Sequence, residues 1–294
     1  MNNFRTVGIV GRRNGNTEIA ETLVELIRYL EARQLEIVLE DHAARLLPDY
    51  KGPVCESDCL GQRCDLAIVV GGDGSMLTAA RALAVHHVPV VGINRGGLGF
   101  LTDIAPDMMQ EKLDQILDGK FNIGTRFLLD AHIQQNQQPL GNGYALNDVV
   151  FSSNQSARMI EFELYVDDFF VYSQRSNGLI VSTPTGSTAY ALSGGGPIMH
   201  PTLDAIALVP MFPHTLTARP IVIPGNSVIK IVPGSLHDAS PTVSCDGHTN
   251  FVISPGDEVT IRKMPTKLTL LHPIGQNFYQ SCRNKLGWGS RLGQ

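Results

Sequence analysis

"DLAIVVGGDGSMLTAARAL", Asp65 to Leu83, decides the class of fold. An apolar run of strand type empties into Gly71-Gly72-Asp73-Gly74, and a helical pattern follows at once. A strand, a tight glycine turn and a helix N-terminus make a cradle for an anion, because the first N–H groups of the helix lack partners and the helix dipole favours negative charge there. The carboxylate of Asp73 stands inside that cradle. Three jobs are open to it: capping a helix that starts near Ser75, holding a metal through oxygen or water, or accepting a proton from a hydroxyl beside bound phosphate. The stretch matches neither familiar phosphate signature. It lacks the third glycine of GxGxxG, and GxxxxGK[ST] occurs nowhere in the chain.

Working outward, the first 120 residues alternate between β-rich runs and helical patterns, which predicts βαβ units on a parallel, doubly wound-like sheet. "TVGIV" (Thr6 to Val10) reads as the first strand. Ile19, Leu23, Leu26, Ile27 and Leu30 then recur at helical spacing, with Asn16 or Thr17 available as N-cap. "LEIVLE" (Leu35 to Glu40) follows as a strand, and "VPVVGINRGGLGFL" repeats the strand-to-glycine transition. In a doubly wound sheet the strand ends share one edge, so the two glycine turns are expected to line one crevice. Pro106 to Gly119 closes the region as a helix with proline at its start and glycine at its end.

Beyond Phe121 the pattern changes to short β-like segments, which predicts a mostly antiparallel β domain over about 121 to 275. Its one helical insertion is expected near Thr188. The tail, 276 to 294, is expected to form a short helix that folds back on the first domain, 1 to 120.

Composition narrows the partners. A length of 294 residues with 43% hydrophobic and 17% charged residues gives a globular chain with room for two cores. The net charge of −5 argues against nonspecific binding to nucleic acid or an anionic membrane, both of which need a basic field. Neither a signal-type N-terminus nor an apolar run of membrane-spanning length is present, so cytoplasmic residence is the expectation. Cys55, Cys59 and Cys64 crowd together, but their spacing fits no common zinc pattern, and reduced thiols are expected.

Three further segments bear on chemistry. "STPTGST" (Ser182 to Thr188) is rich in hydroxyls, which suit phosphate or ribose oxygens, and an ordinary Ser/Thr turn is the alternative. Asn147 and Asp148 interrupt a β-like run: an amide can pair with an adenine edge and a carboxylate can hold ribose hydroxyls, although a bulge or turn uses the same dipeptide. Arg158 and Arg175 suit oxyanion recognition, or are simply solvated.

In chain order, "GGDGSML", "GINRGGLGFL", "NDVV", "STPTGSTAYALSGGGP", "MFPHTLTARP" and "SCDG" resemble the bacterial NAD kinases, over Thr6 to about Leu286. GGDG alone is shared with diacylglycerol kinases, sphingosine kinases and phosphofructokinases, whereas the TPTGSTAY and GINxGxLGFL pair is specific. The resemblance implies the two-domain NAD kinase-like fold. It also implies phosphoryl transfer from ATP, or in some members polyphosphate, to the 2′-hydroxyl of the adenosine ribose of NAD, giving NADP. A divalent cation is required, Mg²⁺ being expected through the phosphates, with no protein ligand identified. Asp73 matches the proton acceptor, and Gly71, Gly72 and Gly74 the phosphate loop, Gly74 lying against the dinucleotide. Asn147 and Asp148 match the adenosine contacts. Thr188, Ala189, Tyr190, Ala191, Leu192 and Ser193 match the lining of the dinucleotide site. Arg158, Arg175, Asn177 and His248 match further NAD-binding positions. Family members form dimers or tetramers, so a homo-oligomer is expected.

Two positions depart from the pattern. Asn177 stands where most members carry Asp, an amide for a carboxylate, which bears on affinity and on the choice between NAD and NADH, and His248 stands where Gln is common. Two rivals remain at this level: a lipid kinase sharing GGDG, and a catalytically silent NADP-binding sensor.

Overall fold

The computed structural model describes residues 4–12, 15–96, 99–135, 138–153, 159–234, 241–254 and 256–289. Two compact units emerge, one from residues 1–125 with 266–294, the other from 126–265.

In the first unit, β1 (Thr6–Gly11), α1 (Thr17–Ala32), β2 (Glu36–Glu40), α2 (Asp41–Arg45), β3 (Val54–Cys55), α3 (Ser57–Arg63), β4 (Leu66–Gly71), α4 (Asp73–Leu83), β5 (Val90–Asn94) and α5 (Met109–Leu117) alternate along the chain. The strands are parallel and run in the order β5-β4-β1-β2-β3, so the direction of winding reverses between β1 and β4. Such a reversal opens a crevice at the carboxyl ends of the strands. It is there that β4 releases the glycine turn. The register pairs Gly11 with Val70 and Gly71 with Asn94, which places the exits of β1, β4 and β5 side by side.

Local sequence explains these elements. Asn16 is the α1 cap, its side chain accepting the Ile19 N–H at 3.2 Å. The helix then buries Ile19, Leu23, Leu26, Ile27 and Leu30 against Val7, Ile9, Ile68, Val70 and Val91 of the sheet. β4 is buried along its whole length, as befits a central parallel strand. The expected helix from Pro106 is a 3-10 turn over Pro106–Met108 that continues into α5.

In the second unit, β6 (Phe121–Gln135, entering from the first unit), β7 (Gln138–Ala145), β8 (Asp148–Ser153), β9 (Ile160–Val166), β10 (Phe169–Ser176), β11 (Gly178–Ser182), α6 (Tyr190–Ser193), β12 (Ala205–Met211), β13 (Ile221–Pro224), β14 (Ile229–Pro233), β15 (Pro241–Cys245) and β16 (Thr249–Val252) are nearly all strand. One sheet runs β13-β12-β11-β8-β15-β16, antiparallel throughout. Facing it are β9, β10, β14 and the first half of β17 (Asp257–Pro273), with the β6-β7 hairpin. Alternation along β11 shows how both faces of the six-stranded sheet are filled. Leu179 and Val181 enter the core shared with Phe162, Leu164, Ile231 and Val259, while Ile180 packs with Ala191, Met199 and Val209 on the other face. Phe151 and Phe162 meet edge to face with ring centroids 5.5 Å apart.

β17 carries the chain back to the first unit, where Leu270 pairs with Val90 of β5, and α7 (Phe278–Leu286) follows. The expected α/β unit and mostly β unit are both present. The expected helix at Thr188 is much shorter than a helical insertion implies. A 3-10 turn spans Gly186–Thr188 and α6 has four residues, because Gly194, Gly195, Gly196 and Pro197 follow at once. Among the described residues no helix is long and apolar enough to cross a membrane.

Candidate functional site

The glycine turn builds a candidate site in the first unit. Gly72 is the N-cap of α4 and Asp73 its first helical residue, with no side-chain cap bond. Asp73 therefore does not cap α4; its carboxylate is engaged by another segment. One oxygen accepts the Phe100 N–H at 2.9 Å, and the other accepts the Leu101 N–H at 3.1 Å. The second glycine segment therefore holds the carboxylate of the first. Gly99 has to lack a side chain for this, since a Cβ there would collide with the Asp73 carboxylate. Beyond Gly72 and Gly74 lies open space, with nothing within 4 Å of where a Cβ would stand. Those two glycines are not required by packing.

Asp73 retains 29% of its side-chain surface. Lys285 of α7 brings its ammonium to 3.5 Å from the carboxylate and lies 5.1 Å from the centroid of the Phe100 ring. Phe278, also on α7, packs on the same ring. At this exposure the pair contributes at most ~1 kcal/mol to stability, so its interest is the positive charge it puts beside Asp73. Lys285 is invisible to motif reading, because 212 residues separate it from Asp73.

The second unit frames Asn147 and Asp148. Asp148 opens β8 and is buried, whereas Asn147 is half-buried in the preceding turn. Burial, followed by the charge of Asp246, pushes the Asp148 carboxyl up to about 7. The hydroxyl-rich loop lies against this turn, but its hydroxyls face inward. Thr183 donates to the Leu146 carbonyl at 2.6 Å, Ser187 to the Pro184 carbonyl at 2.6 Å, and Ser182 to the Thr183 carbonyl at 3.0 Å. The expectation that these hydroxyls meet phosphate or ribose is corrected for Ser182, Thr183 and Ser187, which are buried and spent on the loop's own backbone. Gly186 abuts Asn147 so closely that a Cβ would fall well under 3.0 Å from the Asn147 carbonyl. Only glycine fits.

The remaining positions divide. Thr188, Ala189 and Leu192 are half-buried, Ala191 is buried, and Tyr190 and Ser193 are exposed on the short turn-helix segment. His248 is exposed, with Nδ1 2.6 Å from the Asp246 carbonyl oxygen. Arg175 is exposed near Glu161 at 3.9 Å. Asn177 is tied by its backbone to Met211 and Ser153 at the start of β11. Since Gly178 pairs with Ser152 and Ser182 with Asp148, Asn177 lies at the opposite end of β11 from Asp148, about 17 Å along the strand. Arg158 lies outside the described residues.

Among the described residues, one group of three potential metal ligands converges: Glu40, Asp41 and His42. The Glu40 carboxylate is already taken by the His42 and Ala43 N–H groups and the Ser57 hydroxyl, so it closes α2 rather than forming a cage. All five cysteines are free thiols, as expected.

Known proteins resemble the chain over its whole length. Residues 7–121 match the ATP-NAD kinase N-terminal domain and residues 146–272 the ATP-NAD kinase C-terminal domain. The NAD kinases of Azotobacter vinelandii and Pseudomonas aeruginosa are each 57% identical over 293 residues, covering 100% of this chain and 99% of theirs. An NAD kinase from Archaeoglobus fulgidus, solved with ATP, superposes with a TM-score of 0.72 at 25% identity, covering 96% of this chain and 97% of that one. Yeast NADH kinase, solved with NADH, gives a TM-score of 0.89 at 24% identity over 100% of this chain and 91% of that one, a likeness of fold. The lipid-kinase rival finds no support in these relatives. With both domains matched in order and relatives alike from end to end, the chain belongs to the ATP-NAD kinase family, whose reaction is the ATP-dependent phosphorylation of NAD.

Proposed function

We propose that the chain transfers the terminal phosphoryl group of ATP to the 2′-hydroxyl of the adenosine ribose of NAD, giving NADP, with Asp73 as proton acceptor. The 2′-oxygen forms the new P–O bond, the bond to the ADP oxygen breaks, and the hydroxyl proton passes to a carboxylate oxygen of Asp73. The observation that carries the reading is the fixed, half-exposed Asp73 carboxylate beside an open glycine turn. Each oxygen accepts one backbone N–H; Oδ2 also meets the Lys285 ammonium, while Oδ1 keeps a lone pair for a ligand. Gly72 and Gly74 let phosphate approach the backbone at the start of α4, where the helix end favours an anion, while Gly71, expected in the phosphate loop, is buried at the end of β4 and makes room for Ser75. Phosphoryl transfer depends chiefly on positioning and charge stabilisation, which this arrangement supplies.

Asn147 and Asp148 hold the adenosine part, and the Thr188 to Ser193 segment lines the dinucleotide site. Arg175, Asn177 and His248 serve as further NAD contacts. Because Arg175 and Asn177 stand at the far end of β11, they reach either the other end of the dinucleotide or one held by a second copy in a homo-oligomer. Mg²⁺ would arrive on the ATP phosphates and neutralise their charge; no described residue is assigned to hold it, in keeping with the small number of protein ligands Mg²⁺ takes at nucleotide sites. The five free thiols suit a reducing compartment, and we assign the activity to the cytoplasm.

The test supplies NAD, ATP and Mg²⁺ and scores the product with an NADP-specific dehydrogenase. NADP should form from NAD, and 2′-deoxyadenosine NAD should give none. Binding of NADP without turnover would instead identify a silent sensor. Parallel arms with NADH and with polyphosphate fix the acceptor and donor, and Asn177→Asp reports whether the amide sets the choice between NAD and NADH.

A further inference from the structure

A second carboxylate, outside the residues assigned above, organises the end of the six-stranded sheet. Asp246 occupies the turn after β15 with φ +50°, a conformation uncommon for a residue with a side chain, and is 8% exposed. One of its oxygens accepts the Leu146 N–H at 2.9 Å; the other accepts the N–H groups of Asn147 at 2.8 Å and Asp148 at 3.2 Å. Its own N–H donates to the Asp148 carbonyl at 3.0 Å. From the opposite side, Thr183 donates through its hydroxyl to the Leu146 carbonyl at 2.6 Å and through its N–H to the Asn147 carbonyl at 2.9 Å. Three successive peptide units are thus gripped from two separate segments.

We propose that Asp246 is a positioning residue of the dinucleotide site: it fixes the backbone of Asn147 and Asp148 so that their side chains meet NAD in one orientation, without touching the ligand itself. The inference rests on the proposed binding role of Asn147 and Asp148. A turn of this kind needs acceptors, but it does not need a charge. Placing a carboxylate here sets it against a second buried carboxylate, Asp148, which is costly unless the site uses the arrangement. The charge of Asp246, after burial, is what holds the Asp148 carboxyl high. The neighbouring strands offer a hydroxyl, Ser182 opposite Asp148 on β11, and a thiol, Cys245 opposite Val149 on β15.

Asp246→Asn removes the charge and weakens the grip while keeping the shape. The KM for NAD should rise about tenfold or more, while the KM for ATP changes by less than about twofold. A merely structural role would not produce the second readout. The ionised Asp148 accepts hydrogen bonds from NAD, so NAD affinity falls on acidification, and losing the like charge should move that fall to lower pH. Asn147→Ala and Asp148→Asn are measured alongside. If these two leave the KM for NAD unchanged, the binding role and this inference fall together. If they raise it and Asp246→Asn alters neither the KM nor the pH of the fall, the inference alone is overturned. Should Asp246→Asn fail to fold, Thr183→Val loosens the same peptide units from the other side. An unchanged KM for NAD in that variant overturns the positioning frame.

Discussion

Asp73 and Asp246 do the same thing with their oxygens and differ in what surrounds them. Each carboxylate collects backbone N–H groups from a distant segment, two at Asp73 and three at Asp246. Asp73 is half-buried beside Gly72 and Gly74, whose missing side chains leave open space, whereas Asp246 is buried and closed in by the turn it supports. A fixed carboxylate with a free side can react; one enclosed on all sides can only hold. Accessibility separates the proposed proton acceptor from the proposed positioning residue, and the motifs GGDG and SCDG do not reveal which is which.

The sharpest way to break this comparison is Asp73→Asn. Loss of general-base help should cut turnover by ~10²- to 10⁴-fold with NAD binding nearly intact, the reverse of the effect on KM expected at Asp246. Initial rates and equilibrium titration with NAD measure both, and wild-type turnover in the variant would remove Asp73 from the mechanism.

Gly186→Ala attacks the enclosed side. The added Cβ meets the Asn147 carbonyl, which is backbone and cannot swing away, so the fold should lose ~1–3 kcal/mol and NAD should bind more weakly. Thermal denaturation and the KM for NAD report the two losses. Gly72→Ala is its counterpart on the open side. Its Cβ meets nothing within 4 Å and its φ of −108° suits alanine, so stability should change by no more than ~1 kcal/mol, the scale of an N-cap substitution. The KM for ATP should nevertheless rise several-fold, because the new methyl occupies the space left for phosphate. An unchanged KM would mean that phosphate goes elsewhere.

The smallest expected effect is on stability alone, through its pH dependence at Asp148. Its carboxyl is raised from 3.8 to about 7 in the folded protein, so the folded state binds this proton more tightly than the unfolded chain. Stability is then highest below the unfolded value and is lost as pH rises through about 7. Asp148→Asn should flatten that part of the curve and stabilise the ligand-free protein at mildly alkaline pH, as denaturant titrations at several pH values would show.

Much of this was legible in the sequence because it follows local rules. Strand and helix periods predicted the parallel α/β unit and the β unit, and Asn16 announced the start of α1. Asp73 stood out as a charge among glycines. The hydroxyl loop was misread for a physical reason: Ser and Thr offer the same donors to a ligand and to their own backbone, and only burial decides which. Asn177 and Asp148 were both read as NAD contacts, yet antiparallel pairing puts them at opposite ends of β11. Nothing in local spacing marks Lys285 or the grip of Asp246.

The sequence by itself determined the class of each unit and the turn at which a carboxylate meets an anion cradle, because periodicity and glycine geometry act over a few residues. Tertiary structure alone decided which groups hold those carboxylates and which face stays open. Phe100 lies 27 residues from Asp73, and Asn147 lies 99 from Asp246. Hydrogen bonds across such separations depend on how the sheets pair, and that is a property of the folded chain.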